Sequence, residues 1–424
     1  MTQPAPSPRE VAAELVDRVL EIPGTGAAST AVRWLRDVLR AERVDIHLLD
    51  RRRERLHLAA SAGDAGASAP AQRHLDMRQG PAAQALHTEV VLSHRAGDRD
   101  LRYVPLEAYG STPGVLTITG RTGEGGPVAS FGPPDWRRLG RTLALLLHQA
   151  ATTTDDLELA RRTYDYSIAA ELQWQLLPPA DVATHRFALR AVVEPAPRVT
   201  SDLFDWSLNG DRLTVALLDA AGRGLAATQV GDLALAALRN ARRAGRGIAE
   251  QAALADQALW DRHHGHAIVH AVLLEVDLAQ DTAAAVHAGS PIALRRRGHD
   301  VDLLDLGRSH EPLGLLDRSR YDAVAVDVRP GDALLLLSDG VAAVATRDEE
   351  AGGLDMLAHR LAHSSAPRDL PSWLIADLRA RAGGDLDDDA TALALEWYPG
   401  NAGALPGTRP GPTCARPEEA AGSG

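Results

Sequence analysis

Several apolar runs in this chain stop at an aspartate, and that ordering constrains the fold more than any other feature. Leu213–Leu218 leads into Asp219, and Ala333–Leu337 leads through Ser338 into Asp339. Asp388 stands just before Ala390-Thr391-Ala392-Leu393-Ala394-Leu395, and Asp202 lies in Ser201-Asp202-Leu203-Phe204-Asp205. Short apolar runs bounded by such polar residues read as buried strands. Stacking those strands brings their acidic ends together. Four convergent carboxylates suit hard divalent cations, which take oxygen ligands. Two such ions about 4 Å apart activate a water and clamp a phosphoryl group, the chemistry of a metal-dependent phosphatase.

Each site also has a plain structural reading. Asp219 precedes Ala220-Ala221-Gly222-Arg223-Gly224 and an Ala/Leu-rich helix, so it suits a cap or turn. Asp339-Gly340 suits a turn after a strand, and Asp387-Asp388-Asp389 a solvated acidic loop. Gly222 and Gly224 let the backbone turn tightly there.

Composition removes competing chemistries. All 45 basic residues are arginine, so P-loop, protein-kinase and Schiff-base lysines are absent. The single cysteine, Cys414, sits in a Pro/Gly-rich stretch, which excludes an internal disulfide and argues against a thiolate phosphatase. A net charge of −12 argues against a broad nucleic-acid surface. No apolar stretch reaches the roughly 18 residues of a membrane span. The opening residues lack the regions of a signal peptide, and a cytoplasmic location is expected.

Along the chain, residues 1–10 are expected to be disordered and 11–152 to form a first domain. Helical spacing covers Val11–Leu20 and Ala31–Leu39, and alternation over Val44–Leu48 and Leu56–Leu58 predicts a β-hairpin. Further strands are expected near Glu89–Leu92, Arg102–Leu106 and Gly114–Thr119, then a helix over Pro134–Ala151. Residues 153–178 read as one connecting helix stopped by Pro178-Pro179. Residues 179–398 read as a second domain, with helices near Leu225–Ala244, Ala249–Trp260, Leu354–Ala362 and Leu370–Arg381. Residues 399–424 read as a disordered tail. His263, His264, His266 and His270 lack zinc-ligand spacing, and a polar loop before a strand over Ala267–Val276 is expected instead. Arg239 and Arg242 read as a solvated helix end, and Arg295-Arg296-Arg297 as a hairpin tip.

The first domain resembles a GAF domain through Arg43–Asp50, Gly80–Leu86 and Gly114–Ile118. That resemblance implies an α/β sensor with a small-molecule ligand, a dimer surface, or both. Residues 165–397 resemble the SpoIIE-type branch of the protein phosphatase 2C-like phosphatases. Ala170–Pro178 is similar to its leading helix. Val199–Asp205 is similar to its Gly-Gly-Asp motif and Asp219–Gly224 to its Asp-x-x-Gly-His-Gly motif. Ala288–Pro291, Pro312–Gly314, Ser338–Gly340 and Asp388–Thr391 continue the series in order.

The resemblance implies an α+β protein: a GAF-like α/β sensor domain, a connecting signalling helix, and an α-β-β-α sandwich. It implies a serine/threonine phosphatase using two divalent cations, Mn²⁺ or Mg²⁺. Asp219 would bridge them, the Ala220 carbonyl would ligate one, and Asp339 and Asp388 would complete the set. Asp202 would act through water, with Gly222, Arg223, Gly224, Gly340 and Asp389 supporting the site. The implied substrate is a phosphorylated anti-anti-sigma (STAS) regulator, and the implied assembly a homodimer. Thr200-Ser201 replaces a glycine pair, Arg223 and Ser290 each replace a histidine, and Ala343 stands where glutamate is common. Those departures support a rival reading, a non-catalytic binding module in a partner-switching pathway.

Overall fold

The computed structural model describes residues 7–63, 72–77, 79–121, 131–163, 167–196, 201–341, 353–384 and 386–400. The expected tail beyond residue 400 lies outside them, as do Arg198, Thr200, Ala343 and Cys414.

The N-terminal part opens with α1 (Pro8–Leu20) and α2 (Ala27–Leu39). Residues 8–10 were expected to be disordered but belong to α1. Ser7 and Glu10 form a capping box, each side chain accepting the other's backbone N–H, and Pro8 presets the first turn. There follow β1 (Arg43–Leu49), β2 (Arg55–Gly63), β3 (His74–Asp76), α3 (Pro81–Thr88), β4 (Leu92–Ala96), β5 (Arg99–Ala108), β6 (Ser111–Arg121) and α4 (Pro133–Ala150). The strand expected at Glu89–Leu92 begins only at Leu92, because Glu89 is the left-handed C-cap of α3. The six strands form one antiparallel sheet in the order β3-β2-β1-β6-β5-β4. α1, α2 and α4 bury their apolar stripes against one face of it, with Leu15, Leu35, Leu116 and Leu143 at the centre. α3 covers Leu49, Leu56 and Val115 on the other.

The expected single connecting helix is broken. α5 (Asp156–Arg161) ends where Arg162 turns extended (φ −76°, ψ 113°), and α6 (Ile168–Leu176) starts afresh from a Ser167 N-cap. Arg161 explains the stop, since its guanidinium donates to the Leu49 carbonyl of the first domain at 2.8 Å.

The C-terminal part contains β7 (Asp181–Ala183), β8 (Phe187–Glu194), β9 (Asp202–Asn209), β10 (Arg212–Ala220), α7 (Gly224–Arg243), α8 (Ile248–His263), β11 (Val269–Asp277), β12 (Thr282–Ala288), β13 (Ile292–Arg297), β14 (Asp300–Leu303), β15 (Val324–Ala325), β16 (Ala333–Leu337), α9 (Gly353–His363), α10 (Leu370–Ala382) and β17 (Ala390–Trp397). One sheet runs β15-β12-β11-β10-β9 and the other β14-β13-β16-β17-β8-β7. The alternation of β10 shows how the layers stack. Leu213, Val215 and Leu217 enter the core between the sheets, while Ala216, Leu218 and Ala220 pack under α7 and α8. On the second sheet, Leu334 and Leu336 face the same inner core, and Leu335 and Leu337 pack under α9 and α10. The result is an α-β-β-α sandwich. Arg295–Arg297 end β13 at the β13–β14 hairpin but are half-buried there: Arg295 pairs with Asp302 and Asp327, and Arg297 with Asp327 and Asp332. Among the described residues, no helix is long and apolar enough to cross a membrane.

The β1–β2 hairpin joins the two parts. Arg52 makes a two-pronged ion pair with Glu194 at the end of β8, and Arg53 reaches Asp181 at 2.9 Å. The Glu194 side chain is only 4% exposed, and Arg379 lies 3.6 Å from the same oxygen as a second, looser partner. Replacing Arg52 by alanine is expected to cost about 1–3 kcal/mol, the loss of the charge-assisted hydrogen bonds with Arg379 left to share the buried charge. Urea denaturation checks this, and Glu194→Gln in the same chain should recover part of the loss.

Candidate active site

The strand parity that builds the inner core also delivers the acidic groups to one end of it. Asp219 follows Leu213, Val215 and Leu217 on the inward face of β10. Asp202 pairs directly with Asp219 in the β9–β10 ladder and shares the face of Phe204. From the opposite sheet, Thr391 continues the inward face of Leu393 and Leu395, and Ser338 that of Leu334 and Leu336. Ser338 and Thr391 lock to each other, each backbone N–H donating to the other residue at 3.0 Å.

Asp219 is the shared member of two carboxylate groups. Burial, the charge of Asp339 and a hydrogen bond with it, and then Asp388 and Asp389 push its carboxyl up to about 8. Asp202 is 1% exposed, and burial followed by the charges of Asp219 and Asp389 raises its pKa well above the usual range. The hydroxyls of Ser338 and Thr391 oppose that rise, yet neither Asp202 Oδ2 nor Thr391 Oγ1 has a hydrogen-bond partner. Asp388 lies exposed at the mouth. Burial of its carboxyl and the charge of Asp339 raise its pKa, while the Asp389 N–H and the exposed Arg223 work the other way. Clustered carboxylates that resist ionisation mark a site short of positive charge.

Asp389 has a different job. Its Oδ1 accepts the Ala196 N–H at 2.7 Å, and its Oδ2 accepts the Ser201 N–H at 2.6 Å and the Asp202 N–H at 3.1 Å. Gln173 of α6 donates to the same Oδ2 at 3.2 Å and to the Asp202 carbonyl at 2.6 Å. Asp389 therefore fixes the backbone that carries Asp202. Gly222 (φ +130°) and Gly224 (φ +62°) make the turn after Asp219, with Arg223 as the N-cap of α7. Ala220 is buried in β10 opposite Val269. Gly340 is required by contact: a Cβ there would lie 2.0 Å from the Asp389 carbonyl oxygen, a backbone atom that cannot step aside. Gly340→Ala is expected to lower stability by at least about 2 kcal/mol in urea denaturation, the cost of overpacking.

Two features were missed by sequence reasoning. His270, within the strand expected over Ala267–Val276, stands opposite Asp219 in the β10–β11 ladder. Its Nδ1 accepts the Ser290 N–H at 3.2 Å, which leaves the proton on Nε2 in the neutral ring. Burial lowers its pKa, with Asp339 opposing. Its signal was parity: His270, Val272 and Leu274 alternate onto the inner face. Arg239 and Arg242 are not a solvated helix end. Both pair with buried Asp205, at 2.8 and 2.7 Å, and Arg239 also holds the Leu176 carbonyl at the end of α6. His263 ends α8 and His264 caps it.

Among the described residues, no group of three or more His, Cys, Asp or Glu side chains is arranged to hold a metal ion. The donors nevertheless fit divalent cations. Mg²⁺ keeps several waters and binds through one or two carboxylates, so three converging side chains are not required. Asp219 with Asp339, and the unpartnered Asp202 Oδ2, are oxygen donors of that kind.

Residues 209–398 match the family model of stage II sporulation protein E (SpoIIE). Solved structures resemble the chain at low identity. The RsbU and RsbW domains of Rv1364c from Mycobacterium tuberculosis share 23% identity, cover 51% of this chain and 63% of theirs, and give a TM-score of 0.44. The SiaA-PP2C domain of Pseudomonas aeruginosa shares 22%, covers 54% of this chain and 94% of its own, and scores 0.44. The PP2C domain with a regulatory fragment of SpoIIE from Bacillus subtilis shares 12%, covers 74% and 85%, and scores 0.45. No curated protein matches. The sandwich with acidic groups at one end contains the segment that matches that family model. Over residues 209–398, a little under half of the chain, the sequence is similar to the SpoIIE family.

Proposed function

We propose that this chain hydrolyses phosphoserine or phosphothreonine on a regulatory protein, a phosphorylated STAS-type anti-anti-sigma factor being the expected substrate. The observation that carries this reading is the group of carboxylates around Asp219, held at the open end of the sandwich with pKa values raised by burial and by each other. Asp219, Asp339 and Asp388, with the Ala220 carbonyl, would hold two divalent cations, Mn²⁺ or Mg²⁺, and Asp202 would act through water. When bound, such cations supply Lewis-acid activation of water and neutralise phosphoryl charge.

The chain's own residues do the rest. Asp389 and Gln173 hold the Asp202 backbone in place. Arg223, close enough to Asp388 to lower its pKa, offers a guanidinium at the mouth for phosphate oxygens. His270 Nε2–H adds a donor beside the carboxylates. The first domain acts as a GAF-like sensor in a cytoplasmic homodimer, and its contacts through Arg52 and Arg53 give it purchase on β7 and β8.

The second reading, a partner-binding module without catalysis, draws on one observation: no three side chains stand arranged around a cation position among the described residues. The two separate on one assay. Wild type with Mn²⁺ should release phosphate from a phosphoserine STAS protein, and Asp339→Ala should not. A folded wild type that binds the phosphoprotein without releasing phosphate would favour the module.

A further inference from the structure

We propose that the cavity between the two domains binds an uncharged, ring-containing small molecule. The cavity measures about 420 Å³, within the roughly 300–1,000 Å³ typical of small-molecule sites. Both domains and the connecting helices build it. Leu147 of α4 and Leu157 of α5 form one wall, and Trp174 of α6 with Phe204 and Trp206 of β9 form the other. Trp206 is fixed by its indole N–H, which donates to the Pro179 carbonyl at 2.8 Å.

The charged lining argues for a neutral occupant. Arg51 pairs with Glu158 at 2.6 Å and lies 5.1 Å from the centre of the Trp174 ring. Arg161 pairs with the same Glu158 at 3.3 Å, and Arg53 pairs with Asp181 at 2.9 Å. Asp50 Oδ1 accepts the Glu54 N–H at 2.8 Å. The three arginines and the carboxylates of Glu158 and Asp181 are already matched within the protein, so a charged ligand would have to break one of these pairs to find a partner. Aromatic and aliphatic side chains supply the remaining surface, which suits a ring system by stacking and burial.

The position of the cavity gives an occupant leverage. Trp174 lines it, and the next residue back, Gln173, holds both Asp202 and Asp389. Phe204 lines it two residues beyond Asp202 on the same strand. Filling the cavity would therefore bias the segment that positions Asp202. Binding is independent of the hydrolytic reading, and it can be tested without any turnover.

The test titrates N-phenyl-1-naphthylamine, an uncharged fluorescent probe that joins a naphthalene and a phenyl ring, into the full chain. Expected are saturable fluorescence enhancement at one probe per chain and slower amide exchange over residues 168–176 and 202–209. Ala108→Phe, which fills the cavity, and Trp206→Ala, which removes a wall, should each weaken binding at least tenfold; an unchanged thermal melt of either variant ties the loss to the cavity. The proposal is overturned by absence of saturable binding to folded wild type, or by full affinity in both variants. Tighter binding of the sulfonated analogue would overturn the uncharged class.

Discussion

Asp219→Asn will abolish phosphate release and yet make the cation-free protein more stable. Asp219 is the carboxylate that both acidic groups share, and asparagine keeps its size and removes its charge. Without it the remaining donors cannot assemble the same cation site, and kcat/KM should fall by about 10³-fold or more, the scale of losing a principal electrostatic group at a reacting centre. In the absence of divalent cations the same carboxylate is a burden. Its pKa is pushed up to about 8 by burial and by Asp339, so ionising it near neutral pH costs folding energy. At about 1.4 kcal/mol per pKa unit, a rise of roughly four units sets an upper bound on the order of 5 kcal/mol for the gain in stability of the cation-free protein at pH 8 when the carboxylate is removed. Urea denaturation in EDTA, beside the activity assay, reads both effects. A substitution that destroys activity by unfolding the domain would move stability the other way.

The second large effect is a fall in stability as pH rises from about 7 to 8.5 in the absence of divalent cations. Asp219 has a folded pKa of about 8 and an ordinary unfolded value of 3.8. Between those values the native state binds more protons than the unfolded state, so stability falls with pH. Asp202, Asp388 and Asp389 are shifted in the same direction. Buried His47 and His57 and half-buried His270 and His287 have lowered pKa values, which oppose the slope only below their unfolded value of 6.5. Asp181, held down to about 2 by Arg53 and Arg190 against its own burial, contributes only under acid conditions. The window above pH 7 therefore isolates the carboxylates. Stability should fall by about 1 kcal/mol per pH unit there, and saturating Mg²⁺ should flatten the slope. A flat profile in EDTA would contradict the account.

Much of this was legible in the sequence because strand parity is a local property. The run from Leu213 to Asp219 specifies two faces, and the inner one ends in a carboxylate. What the sequence hid depends on register and on contacts between distant segments. His270 reads as one more histidine in a polar cluster until β11 is laid beside β10, which sets it opposite Asp219. Asp389 reads as part of an acidic loop, because its partners at Ala196, Ser201 and Gln173 lie nearly two hundred residues away or more. Arg239 and Arg242 have the spacing of a solvated helix end, and only buried Asp205 gives them their purpose. The helix break after Arg161 has the same origin, since the Leu49 carbonyl that holds Arg161 belongs to another domain. The capping box at Ser7 and Glu10 was readable locally, and it lay hidden only under the expectation of a disordered start.

The central claim is that the carboxylates around Asp219 form a cation site, and calorimetric titration of Mn²⁺ into the full chain at pH 7.5 tests it most directly. The account predicts saturable binding that Asp219→Asn and Asp339→Ala both lose. No binding heat from a folded wild type across several titration temperatures would contradict it, and the acidic end of the sandwich would then be a surface for a partner and not a centre for hydrolysis.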